Sequence, residues 1–134
     1  MALPDTYTNI NETGCCAIPN VEGWDKKRIV FENKQFVRAY TKSFMHIPLN
    51  MAKVMTSLHE MVTGASAGMP ANQAMILSRD ISAWKSEQLY AVARPIEDAG
   101  NVTLSGTYLT RVFDGPYKNA EGWYAEMLDY AKRQ

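Results

Sequence analysis

Residues 102–117 read VTLSGTYLTRVFDGPY. The density of Val, Thr, Leu and Tyr predicts the clearest strand of the chain over Val102 to Phe113. Gly106 inside it marks a place for a twist or bulge. Asp114-Gly115-Pro116 then breaks the strand, because proline cannot donate to a ladder and glycine admits a turn. Beyond the break, from about Asn119 to Arg133, apolar residues recur at Ala120, Trp123, Tyr124, Met127, Leu128 and Ala131. That spacing predicts an amphipathic helix. Lys132 and Arg133 fall in its last turn, where the helix dipole favours cations.

The same order recurs upstream. Arg28 to Phe31 and Gln35 to Met45 are β-prone, with Glu32-Asn33-Lys34 between them as the expected hairpin turn. Pro48 and Asn50 open a helix whose apolar stripe is Met51, Val54, Met55, Leu58, Met61 and Val62. Gly64 stands where a left-handed cap would end it. An offset of 69 residues maps Met51, Val54, Met55, Leu58 and Val62 onto Ala120, Trp123, Tyr124, Met127 and Ala131, and Phe44 onto Phe113. Two further strands are expected at Ala74 to Ser78 and Gln88 to Pro95, with Trp84 in their connection and a turn at Asp98 to Asn101. Residues 1–25 are irregular, and 26–134 form one domain. The expected class is α+β: an antiparallel sheet with two helices on one face, built from two pseudo-repeated strand-helix units.

Composition limits the function. The 134 residues carry 14 Lys+Arg against 14 Asp+Glu, so nucleic acid is not an expected partner. Hydrophobic residues at 46% and charged residues at 21% are globular proportions. Apolar runs fall far short of the ~20 residues that span a bilayer. Residues 1–11 lack the charged and apolar regions of a signal peptide, so a cytoplasmic protein is expected. Cys15 and Cys16 are adjacent, which suits a reducing compartment because neighbouring cysteines pair only under strain. They read either as ordinary loop thiols or as a weak metal or redox pair. No CxxC or clustered histidine completes such a site in this sequence.

Phe113-Asp114-Gly115-Pro116-Tyr117, followed by Trp123 and Tyr124, resembles the GyrI-like small-molecule-binding family. Gln88-Leu89-Tyr90-Ala91-Val92 is similar to that family's strand of acidic-Leu-Tyr-Ile-Pro-Val, with Gln88 and Ala91 as departures. Cys15-Cys16 ahead of Trp24-Asp25 is similar to a stand-alone bacterial subgroup often labelled hydrolases. The resemblance runs from about Thr13 to Lys132. It implies two strand-helix-strand-strand repeats, the second incomplete here. A closing hairpin of about 25–40 residues, carrying a Cys-x-x-Cys, would be expected next. Either the sequence is truncated before that hairpin, or a naturally short chain covers the open edge by pairing with a second copy, as a homodimer or higher homo-oligomer.

The resemblance further implies a cleft between two halves, walled by aromatic rings and thioethers, taking a largely apolar or cationic aromatic ligand without a cofactor. The candidate ligand residues are Phe44, His46, Met55, Tyr90, Tyr108, Phe113, Trp123 and Tyr124. Aromatic and Met residues at helical spacing serve equally as plain core. Glu87, at a loop surface or cleft rim, is the candidate catalytic carboxylate, whereas Glu126 falls on the solvated face of its helix. Hydrolysis by Glu87 with Tyr90 or Tyr108 is one alternative, and a thiol or metal protein centred on Cys15 and Cys16 is another. No HExxH, GxSxG or Gly-rich phosphate loop is present.

Overall fold

A computed structural model describes residues 3–7, 19–45, 47–113 and 115–134. In chain order it contains α1 (Val21–Trp24), β1 (Lys27–Phe44), β2 (Ile47–Pro48), α2 (Met51–Gly64), β3 (Ile76–Ser82), β4 (Lys85–Ala91), β5 (Asn101–Thr110) and α3 (Ala120–Lys132). The class is α+β, as expected. The strands form a five-stranded antiparallel sheet ordered β2-β1-β4-β3, with β5 also pairing β1. Contacts group the residues into two compact units. One spans Glu32–Ser105; the other combines the chain up to Phe31 with Gly106–Gln134. No helix among the described residues is long and apolar enough to cross a membrane.

In the unit Glu32–Ser105, β1 pairs β4 in unbroken register from Phe36↔Ala91 to Lys42↔Lys85, and β3 pairs β4 from Ile76↔Tyr90. Side chains alternate between the two faces of these strands. Val37, Ala39 and Tyr90 leave one face and pack with Leu58 and Val62 of α2, joined by Ala67, Val92 and Ile96. The stripe Val54, Met55, Leu58 and Val62 is therefore the face of α2 that meets the sheet.

Four local expectations need correction. Glu32-Asn33-Lys34 makes no hairpin: β1 runs straight through it. Asn33 absorbs the irregularity with φ 53°, a left-handed conformation that Asn tolerates. Its N–H bonds Ser105 Oγ at 3.0 Å, so a bond to β5 replaces the turn. At the start of α2, Asn50 holds the N-cap position without capping; its Oδ1 accepts from the Lys42 N–H at 2.7 Å. At the far end Gly64 is helical, and the left-handed residue is Ser66 with φ 53°. The strands expected at Ala74 to Ser78 and Gln88 to Pro95 lie a few residues away, at Ile76–Ser82 and Lys85–Ala91.

The other unit holds α1, α3, the first residues of β1 and the last of β5. Asn20 caps α1 by accepting from the Gly23 N–H at 3.1 Å. The expected kink at Gly106 coincides with φ 137°, which side chains on Cβ resist. The α3 helix starts where the 69-residue offset places it, but its burial differs from that of α2. Leu58 and Val62 are buried in α2, while the buried residue of α3 is Tyr130, the counterpart of Met61. The repeat is thus one of helix position rather than of core contacts.

Candidate functional site

The far end of the sheet in unit Glu32–Ser105 carries an uncovered aromatic group. Tyr40, Lys42 and Phe44 alternate along β1 and so share one face, together with Lys85 and Glu87 of β4. A two-residue turn, Ala83-Trp84, joins β3 to β4, and a register shift between Asp80 and Ser82 bulges β3 just before it. The Trp84 ring meets Phe44 edge-on, with centroids 5.3 Å apart and planes at 70°. Both rings stay in water, Phe44 at 54% and Trp84 at 57% exposure, and Ile47, opposite Phe44 in the ladder, is exposed too. Lys85 Nζ sits 4.0 Å above the centroid of the Tyr40 ring.

The backbone beneath these rings is held. Ser43 N–H donates to Trp84 O at 2.8 Å, Leu49 N–H to Lys42 O at 2.9 Å, and Trp84 N–H to Ser82 Oγ at 3.1 Å. Three chain segments are therefore fixed to one another before any ligand arrives, which reduces the ordering cost of binding.

Further along the same face Glu87 is 5% exposed. Its carboxylate takes Arg38 Nε on one oxygen and Arg79 Nε on the other, each at 2.9 Å. This corrects the expected loop surface or cleft rim: Glu87 lies inside β4, clamped between two guanidinium groups. Tyr90, three positions on, leaves the opposite face, so the strand does not bring these two side chains together. The Tyr90 hydroxyl instead lies 3.1 Å from His59 Nδ1 on α2, and Met55 packs with Tyr90 against the core. On that helix-bearing face Ser86 donates to Asp80 Oδ1 at 2.8 Å, while Gln88 donates to Thr41 Oγ1 at 3.3 Å. Ser86, Gln88 and Thr41 are buried, and each has a polar partner.

The remaining ring candidates belong to the other unit. Phe113 stacks on Trp123 with centroids 6.1 Å apart and planes at 17°. Tyr108 meets Phe31 at 5.1 Å, and Tyr124 is 70% exposed. Arg111 sits over both Phe113 and Tyr130, at 5.0 and 5.4 Å from their centroids. Its guanidinium bonds Asp25 Oδ1 at 3.2 Å and Glu126 Oε1 at 3.0 Å. Glu126 is exposed, as its helix position suggested, but it has a partner. One face of Phe113 is thus occupied by a cation of the chain itself. Cys15, Cys16 and His46 lie outside the described residues. Among the described residues no three His, Cys, Asp or Glu side chains are grouped to hold a metal ion.

Asp25 titrates low. The Val112 N–H donates to its Oδ1 at 3.0 Å, and Arg111 adds a hydrogen bond and its charge, which together outweigh desolvation. A carboxyl held below its ordinary value of 3.8 stabilises the fold above that pH and loses the contribution as pH falls through the lowered value. Thermal unfolding of wild type and Asp25→Asn at pH 6 and near pH 2 should show the wild-type advantage shrinking in acid. An unchanged difference would remove Asp25 ionisation as its source.

Sequence reasoning reached Phe44 but missed Tyr40, Lys42, Trp84 and Lys85. The available signal was the alternation Tyr-x-Lys-x-Phe over residues 40–44, opposite a turn bearing a tryptophan. A family model described as "Bacterial hydrolase" matches residues 6–134. No curated protein and no solved structure matches the chain.

Proposed function

The chain belongs to the bacterial hydrolase family, and from that premise we propose that it is a GyrI-like module binding a small, flat, largely apolar molecule against Phe44, Trp84 and Tyr40. The exposed edge-to-face pair of Phe44 and Trp84 carries this reading. Two large rings left in water on a held backbone gain from any flat apolar partner, at about 0.5–1.5 kcal/mol per aromatic contact beyond area burial.

The three tryptophans give a site-resolved test, because each indole N–H has its own nitrogen-correlated NMR signal. On titration with neutral 2-naphthol, the Trp84 signal should move while those of Trp24 and Trp123 stay. Phe44→Ala should weaken the effect, and Tyr124→Ala should not. A stationary Trp84 signal at millimolar probe would refute the proposal.

Hydrolysis is a second reading, favoured by the family's description. The His59–Tyr90 contact offers it a proton acceptor and a hydroxyl donor within hydrogen-bond reach. Mass spectrometry of a panel of aryl esters and amides incubated with wild type and His59→Gln checks it. Turnover in wild type that His59→Gln removes would support this reading, and absence of turnover would count against it.

A further inference from the structure

We infer that the ligand of the Phe44–Trp84 surface is an anion: a flat apolar body bearing a carboxylate, sulfonate or phosphate group. This rests on the binding reading above and adds its charge. Cross-strand neighbours in register stand close enough that like charges oppose each other, and such pairs destabilise a sheet. Lys42 and Lys85 form one such pair, at the last step of the β1–β4 ladder before Phe44 and Trp84. Both lysines leave the face that carries Tyr40 and Phe44.

The same face adds Arg38 from β1 and Arg79 from β3, against the single carboxylate of Glu87. Glu87 is already engaged by those two arginines. The strip therefore holds four cations and one anion, and the surplus lies on the lysine side nearest the rings. Asp80, the other nearby carboxylate, takes the Ser86 hydroxyl on the opposite face. Lys85 is already aligned over Tyr40, so one ammonium stands beside an aromatic wall. A ligand whose ring rests on Phe44 and Trp84 would direct an anionic group towards Lys42 and Lys85 and relieve their repulsion. A cationic aromatic ligand, the expectation drawn from family resemblance, would worsen it.

The test pairs two probes that share one ring: 2-naphthoate and 2-naphthyltrimethylammonium, read by the Trp84 indole signal with 2-naphthol as neutral reference. The naphthoate should bind wild type on the order of fivefold more tightly than the cation, a preference that salt reduces. Lys42→Met and Lys85→Met should each shrink the ratio of naphthoate to cation affinity, each taken relative to 2-naphthol on the same variant, and a cooperative urea-unfolding transition shows that the variants fold. Equal binding of the two ions, or tighter binding of the cation, overturns the inference. So does a preference that survives both substitutions. If 2-naphthol itself fails to move Trp84, the binding reading fails first, and that outcome is distinct from a reversed charge preference.

Discussion

Phe36→Ala should lower the stability of the protein by about 3–5 kcal/mol in urea unfolding, the range for deleting a large buried aromatic side chain. Phe36 is fully buried in β1, in register with Ala91, and is among the largest side chains excluded from solvent. Two terms act together: transfer of the ring's apolar area back to water, and the cavity left in a pleated surface that cannot close around an alanine. Tyr124→Ala, at a ring 70% exposed on α3, should change the stability by less than about 0.5 kcal/mol. Comparable losses for the two would mean that Phe36 does not pack as described.

The second large effect concerns Glu87, and its size depends on which partner is removed. Replacing both Arg38 and Arg79 by alanine leaves a carboxylate 5% exposed without either counter-charge. We expect a loss of about 2–4 kcal/mol, below the usual range for a fully buried pair because both guanidinium groups reach solvent. Glu87→Gln should cost less, about 1 kcal/mol, since the arginines can turn to water and a neutral amide is cheaper to bury. Chemical denaturation of the two variants beside wild type decides the order. If Glu87→Gln is the more damaging, the carboxylate is not the group that burial penalises, and the clamp has another purpose.

How far the site could be read in advance follows from the same strands. The alternation of β1 was visible, because a period of two repeats in the residues themselves: Phe36, Arg38, Tyr40, Lys42 and Phe44 must share a face wherever the strand runs. Which strand lies beside it, and in what register, is not encoded locally. Lys85 is far from Lys42 in sequence and becomes its neighbour only through the β1–β4 ladder. Asn50 shows the limit at a single residue. Its type and place suit a helix cap, yet the Lys42 N–H claims its oxygen.

Glu87 illustrates the same limit for charge. As a carboxylate ahead of a tyrosine-bearing strand it suggested catalysis, and a strand that starts at Lys85 instead of Gln88 changed its surroundings from rim to buried clamp. A shift of one position in a strand moves every side chain to the other face, so functional assignments there depend on the register more than on residue type.

By itself the sequence determined the α+β class, the two long helices and the alternating faces, because 3.6- and two-residue periods and turn-forming residues act over a few neighbours. The tertiary structure alone decided which charges face each other, which rings remain in water and which carboxylate is sealed. Those outcomes depend on pairings between distant segments, whose free energy belongs to the assembled sheet and not to any stretch of chain.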